Sequence, residues 1–257
     1  MVISPRRPEY IVSDGPWIDF RSSQKECRMR LFCFPYAGGG AWFYRNWQAQ
    51  LPARVEVCPI ELPGRGRRVA ETPFRSLTLA ANAISEAIAP YARNAPCAVF
   101  GHSMGALLAF EVGSRLESDI GANLRAAFLS GARGPGRRRE DPREYEFPRD
   151  QFIELLRSWN ATPEVLLNDS DVMDLLLPCI RADLELAQTY RFDLQNRRLR
   201  CMTLAFGGRE DAEVEEADLQ AWANATSGPF SLHMFPGDHF YLAQRTAELT
   251  GILSRYL

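Results

Sequence analysis

Three residues in one chain order carry the chemistry of this sequence. Ser103 stands in Gly101-His102-Ser103-Met104-Gly105, a G-x-S-x-G run. A serine hydroxyl is a weak nucleophile and needs a base to take its proton. The chain has 3 histidines. His102 lies inside the serine motif, where its side chain is expected to point away from Ser103. His233 sits mid-strand in Ser231-Leu232-His233-Met234-Phe235. His239, in Pro236-Gly237-Asp238-His239-Phe240, follows the last apolar run and is the candidate base by elimination and by position. The carboxylate that orients such a base follows a strand and lies between serine and histidine in chain order. Asp211, in Gly207-Gly208-Arg209-Glu210-Asp211, meets both conditions. Glu210 and Asp238 are its rivals, and Asp238, adjacent to the histidine, is poorly placed to reach the ring. Together these groups can transfer an acyl group through a covalent intermediate.

That reaction places negative charge on a carbonyl oxygen, which calls for two backbone N–H donors. The residue after the nucleophile, Met104, is expected to supply one. The loop Phe34-Pro35-Tyr36-Ala37-Gly38-Gly39-Gly40 is expected to supply the other from Ala37, since its glycines let backbone approach a ligand closely. No Gly-Lys-Ser/Thr follows, so a phosphate-binding loop is not the reading. The sequence carries no metal-ligand cluster and no nucleotide fingerprint, and no cofactor is expected.

A G-x-S-x-G run works as a nucleophile elbow only between a strand and a helix. The surrounding pattern provides both. Apolar runs at Arg30–Phe34, Val55–Ile60, Cys97–Gly101, Ala126–Ser130, Cys201–Phe206 and Phe230–Phe235 read as strands. Several are continuously apolar, as in a parallel sheet buried on both faces. Helical patterns at Ala41–Leu51, Leu77–Ala92, Met104–Leu116, Leu219–Asn224 and Leu242–Tyr256 alternate with them, which implies βαβ units. Nothing local decides whether the first strand runs parallel or antiparallel at an edge. Between Ser130 and Arg200 the rhythm breaks. A Gly/Pro/Arg-rich segment, Gly131–Arg139, leads to helical patterns at Asp150–Trp159, Asp171–Leu177 and Cys179–Tyr190. A helical block inserted here, from about 133 to 190, is expected to be a lid over the carboxyl edge of the sheet. Its apolar residues, Leu175 and Leu176 among them, are expected to line an acyl pocket. The chain thus reads as a single α/β domain over residues 1–257.

The bulk numbers fit. The 257 residues are 46% hydrophobic and 24% charged, values of a globular protein with a real core. A net charge of -2 argues against nucleic-acid binding. The 6 cysteines form no C-x-x-C pair and read as buried thiols. No segment has the character of a signal peptide or a membrane span, so a soluble, cytoplasmic protein is expected.

Phe34–Gly40, Leu62-Pro63-Gly64-Arg65-Gly66, Gly101–Gly105 and Pro236–Phe240 together resemble the type II thioesterases, stand-alone editing enzymes of polyketide and non-ribosomal peptide assembly lines. The resemblance extends to Leu177-Pro178, Arg181-Ala182-Asp183 and Ser227-Gly228-Pro229-Phe230, and runs from about Arg30 to Leu257. It implies an α/β-hydrolase fold with a helical lid. The activity it implies is release of acyl groups, aberrant or stalled, from the phosphopantetheine arm of acyl or peptidyl carrier proteins. Its pattern places the acid at Asp211 and the oxyanion donors at Ala37 and Met104. Two departures stand out. Trp159-Asn160-Ala161-Thr162-Pro163 lacks paired glycines before the Thr-Pro, and Asp211 is followed by Ala212 rather than proline. The competing readings are a carboxylesterase or lipase, a medium-chain fatty-acyl thioesterase, and an inactive hydrolase fold used for binding. Basic clusters at Pro63–Arg68 and Arg137–Arg139 are solvated loop charge or a dock for an acidic carrier. Trp42, Phe43 and Trp47 read as core, with Trp42 able to reach the pocket.

Overall fold

The computed structural model describes residues 10–12, 15–22, 27–137, 143–159 and 162–257. A short antiparallel pair, β1 (Tyr10–Val12) and β2 (Phe20–Ser22), precedes the main sheet and has no counterpart in the sequence reading. Six strands then form one sheet: β3 (Met29–Phe34), β4 (Val55–Pro59), β5 (Cys97–His102), β6 (Leu124–Ser130), β7 (Met202–Gly208) and β8 (Phe230–Phe235). Their order is β4-β3-β5-β6-β7-β8, and every adjacent pair is parallel. The orientation left open for the first run is therefore settled, because β3 is interior and parallel to both neighbours. All six predicted strands form, with bounds shifted by a residue or two.

Helices α1 (Leu77–Asn94), α2 (Met104–Ser118), α3 (Arg149–Ser158), α4 (Glu164–Leu167), α5 (Ser170–Thr189), α6 (Glu216–Gln220), α7 (Tyr241–Gln244) and α8 (Thr246–Leu253) complete the described fold, with short 3-10 turns between. The alternation of each strand splits the core. Phe32, Val99, Ala127 and Ala205 face a layer built from α1 and α2. Leu31, Phe100, Phe128 and Phe206 face a layer with Trp47, Leu249 and Leu253. No helix among the described residues is long and apolar enough to cross a membrane. All 6 cysteines are free, and Cys27 alone is not fully buried.

Four helix expectations change. The pattern at Leu219–Asn224 divides between the end of α6 and a 3-10 turn, Ala221–Ala225. The run Ala41–Leu51 is not one helix but two 3-10 turns, Ala41–Tyr44 and Trp47–Ala49. Tyr44 donates to the Phe34 carbonyl at 2.6 Å, and Gln48 bonds Val55 and Val57. These long-range bonds, and apolar anchors three residues apart, favour the tighter turn. The patterns split at Pro178 form one helix, α5, running through the proline. An interior proline costs about 3 kcal/mol. Burial of Met173, Leu177, Ile180 and Leu184 outweighs it, each contributing roughly 1.5–3 kcal/mol. The C-terminal helix is interrupted at Arg245, which separates α7 from α8.

The order of strands positions the site. After β3 the chain moves outward to β4, then returns past β3 to β5 and continues the other way. Such a reversal opens a crevice at the carboxyl ends of the two strands, where ligands bind in open α/β sheets. Here the crevice receives the loop after Phe34 and the turn at Ser103. The helices α3, α4 and α5 lie in the connection between β6 and β7. They have a small core of their own around Phe152, Leu156, Met173 and Leu177.

Candidate active site

Ser103 follows β5 directly and stands at the N-cap of α2. Its backbone has φ 54 and ψ -123, and it is the one non-glycine residue with positive φ among those described. A strained conformation of this kind needs surroundings that over-determine it. They are visible on both sides. A Cβ on Gly101 would lie 1.9 Å from the Gly105 carbonyl oxygen, and one on Gly105 would lie 2.3 Å from that of Phe34. The Ser103 N–H donates to the Ser130 carbonyl at 2.8 Å, pinning the turn to β6. The next residue, Met104, opens the helix, and N–H groups of a first turn have no partner within the helix.

The carboxyl ends of β7 and β8 are joined the same way. The N–H of Arg209 donates to Phe235 O at 2.8 Å and that of Glu210 to Gly237 O at 3.1 Å. Asp211 is held from behind, its Oδ1 accepting the N–H groups of Glu213 at 2.8 Å and Val214 at 3.2 Å. Its Oδ2 faces His239 Nδ1 at 2.7 Å. The Asp211 side chain is 0% exposed and that of His239 is 20% exposed. An ionised carboxylate only accepts, so Nδ1 carries the proton and Nε2 keeps its lone pair. The rival carboxylates are engaged elsewhere: Glu210 accepts from the Gly237 N–H, and Asp238 from the Phe240 N–H at 2.9 Å.

Ser103, His239, Asp211, Ala37 and Met104 all line one cavity of about 630 Å³. Its apolar wall includes Leu107 of α2, Leu184 and Ala187 of α5, and Phe192. That size and mixed lining suit an organic ligand with a few polar anchors.

His102 is fully buried beneath this arrangement. Its Nδ1 pairs with Ser130 Oγ at 2.8 Å, and Ser130 Oγ with the Tyr241 hydroxyl at 2.7 Å. Burial, and then the neighbouring His239 ring 4.9 Å away, pushes the His102 pKa well below the ordinary value. It stays neutral and adds no positive charge beside His239. His233 stacks on Phe206 away from the cavity, as a packed strand residue.

Other expectations fail for physical reasons. Leu175 is 61% exposed, and neither it nor Leu176 lines the cavity. They sit more than two turns before Leu184 and Ala187, which do line it. Trp42 is 67% exposed and carries the Arg45 guanidinium on its ring, outside the cavity. In the Pro63–Arg68 cluster two of the three arginines, Arg65 and Arg68, are buried rather than solvated, and Arg67 is exposed. Arg65 is buried against Asp183, Arg68 stacks on Trp17 and pairs with Glu71, and Arg67 pairs with Asp19. In the second cluster Arg137 pairs with Asp218, while Arg138 and Arg139 lie outside the described residues, as do Asn160 and Ala161.

A family model described as a thioesterase domain matches residues 29–257. The chain belongs to the thioesterase family. The thioesterase is 37% identical over 248 residues to the gramicidin S biosynthesis protein GrsT of Aneurinibacillus migulanus, covering 96% of each chain. It is 31% identical over 246 residues to thioesterase PikA5 of Streptomyces venezuelae, covering 96% of this chain and 87% of that one. Among solved structures, the type II thioesterase BorB from the borrelidin biosynthetic cluster superposes with a TM-score of 0.84 at 33% identity, covering 95% of this chain and 98% of that chain. The α/β-hydrolase fold and the resemblance to type II thioesterases are thereby borne out.

Proposed function

We propose that this thioesterase releases acyl groups from the phosphopantetheine thiol of acyl or peptidyl carrier proteins, clearing stalled chains from a polyketide or non-ribosomal peptide assembly line. In this reading Ser103 Oγ attacks the thioester carbonyl carbon and passes its proton to His239 Nε2. The carbonyl π electrons move to oxygen, and the oxyanion accepts the N–H groups of Ala37 and Met104. Collapse breaks the C–S bond, and the departing sulfur takes the proton from His239. Water then repeats the sequence on the acyl-serine, regenerating Ser103 and freeing the carboxylic acid. Asp211 holds the imidazole in the needed tautomer and stabilises the imidazolium.

The observation that carries this reading is the 2.7 Å bond between His239 Nδ1 and the buried Asp211 carboxylate, in the lining of the cavity that Ser103 also lines. The relatives support the carrier-bound substrate over a free ester, and favour an assembly-line role over medium-chain fatty-acyl release. The helical block from about 133 to 190 acts as the lid, and Leu184 and Ala187 contact the acyl chain.

The test is release of an acyl group from a loaded carrier protein by the wild type and by Ser103→Ala. The variant is expected to fold normally and to lose about a millionfold in kcat, as when a triad member is removed elsewhere. Near-normal release by the variant excludes Ser103 as nucleophile.

A further inference from the structure

One buried ion pair has no part in the mechanism above. Arg65, in the loop after β4, and Asp183, on α5, are 9% and 2% exposed. Their fork is bidentate: Nη1 to Oδ2 at 2.8 Å and Nη2 to Oδ1 at 2.7 Å. Taking two charges out of water is expensive, so a buried pair is poor evidence of a stabilising device. What it touches accounts for it better. Asp183 Oδ2 also accepts the Gly38 N–H at 2.8 Å, and Arg65 Nη1 also donates to the Gly39 carbonyl at 2.7 Å. Both contacts fall on the loop that carries Ala37.

The loop's peptide groups can be followed one by one. Gly39 N–H donates to Tyr36 O at 2.9 Å, and Gly38 has φ 75. That bond and that φ are those of a type II turn with Ala37 and Gly38 at its centre. The Tyr36 carbonyl belongs to the same planar peptide as the Ala37 N–H. With the carbonyl turned into the turn, the N–H points the opposite way. The next peptide, Ala37–Gly38, is the one that flips between type I and type II turns. Asp183 holds its N–H. The Gly39–Gly40 peptide is held by Arg65. A Cβ on Gly38 would come within 3.0 Å of Ile180 Cγ1, so α5 also backs the loop directly.

We infer that Asp183, with Arg65, is a positioning residue for thioester hydrolysis: the pair fixes the turn that aims the Ala37 N–H at the developing oxyanion, and ties that donor to the seating of α5. This rests on the oxyanion reading of Ala37 given above. Neither Arg65 nor Asp183 lines the cavity that Ser103, His239 and Ala37 line. The effect of the pair should therefore appear in the stability of the tetrahedral state rather than in substrate binding.

The experiment uses the double variant Arg65→Met with Asp183→Leu. Replacing a buried pair by apolar residues of similar volume is often neutral for stability. Thermal melting and kcat and KM on an acyl-loaded carrier protein are measured, with the inhibition constant of an alkylboronic acid. The boronate accepts the serine oxygen and becomes a tetrahedral anion, so it reports on the oxyanion donors. We expect a folded protein whose kcat falls about a hundredfold, as for loss of one donor elsewhere. KM should change by less than about threefold, and boronate affinity should fall in step with kcat. Should the double variant fail to fold, Asp183→Asn, which keeps an acceptor for Gly38, is read by the same three quantities, with a smaller loss expected. A folded variant with wild-type kcat and wild-type boronate affinity overturns the inference, as does a loss of kcat with boronate affinity intact. If Ser103→Ala retains activity, the underlying site reading falls and takes this role with it. If Ser103→Ala is inactive and the folded pair variants are normal, only the positioning role falls.

Discussion

Asp211→Asn tests the orientation of the base, and its outcome can be worked from the bonds around the carboxylate. In the wild type Oδ1 accepts two backbone N–H groups and Oδ2 faces His239 Nδ1. Asparagine has one oxygen and one NH₂. With the oxygen left on the Glu213 and Val214 N–H groups, the NH₂ faces Nδ1 as a donor. Histidine must then carry its proton on Nε2, where it cannot accept from Ser103. Turning the amide round restores the tautomer but sets the NH₂ against two N–H donors, one buried and one part-buried. Leaving two such donors unpaired costs roughly 2–6 kcal/mol. At 1.36 kcal/mol per decade, that corresponds to a loss of about 30-fold to 25,000-fold in kcat. The upper end meets the roughly ten-thousandfold loss seen when the same change is made in a serine protease triad. The assay is single-turnover release of an acyl group from carrier protein, with KM followed alongside. Glu210→Gln should lose little, because its carbonyl can still accept the Gly237 N–H. A loss under tenfold for Asp211→Asn, or an equal loss for Glu210→Gln, refutes the reasoning.

Two further outcomes follow from buried groups. Glu61 sits behind the Ala37 loop, close to Gly40 and Gly66, and its Oε1 has no partner among the described residues. Burial, and then the charge of Asp19, raises its pKa from the ordinary 4.5 to about 7, with Arg65 and Arg67 acting the other way. A raised carboxyl pKa means the folded chain holds this proton more tightly than the unfolded one. Stability from Glu61 is therefore full below pH 4.5 and erodes as the pH rises to about 7. In urea titrations across that window Glu61→Gln should lack this slope and gain on the wild type toward pH 7; identical slopes would contradict it. Tyr190 lines the cavity and donates to Glu111 at 2.6 Å, and in the proposed function it forms the floor of the acyl site. Glu111 lies eight residues beyond Ser103 on α2, about 12 Å along the helix. Tyr190→Ala should raise kcat/KM for longer acyl chains over shorter ones by about tenfold, whereas the exposed Leu175→Ala leaves the profile unchanged. An unaltered profile in Tyr190→Ala would remove Tyr190 as the floor.

The parts of this molecule legible in its sequence are those set by local pattern. Phe32, Val99 and Phe128 belong to apolar runs buried on both faces of a parallel sheet, so the strands appear as uninterrupted hydrophobic segments. The turn at Ser103 needs glycines at 101 and 105 for contact reasons that any such elbow shares. Ala37, Asp211 and His239 then follow from strand ends. What was not legible depends on partners far away in the chain. Pro178 sits inside α5 because tertiary burial outweighs the lost hydrogen bond. Residues 41–49 wind tightly because Tyr44 and Gln48 bond to strands. Arg65 reads as a solvated charge in a basic loop, and only the fold brings Asp183, 118 residues away, into its fork. Leu175 and Leu184 look alike in sequence; rotation along α5 leaves one outside and the other in the cavity.

The central claim is that Ser103 takes an acyl group directly from a carrier-bound thioester. The most direct measurement is rapid quenching of the protein with an acyl-loaded, phosphopantetheinylated carrier protein, followed by intact-mass and peptide mass spectrometry. The account predicts a transient acyl adduct on the peptide containing Ser103, absent in Ser103→Ala, together with free thiol on the carrier and free carboxylic acid. A carrier that stays loaded while an oxygen ester of the same acyl group is cleaved, or an adduct mapped to another residue, would contradict it.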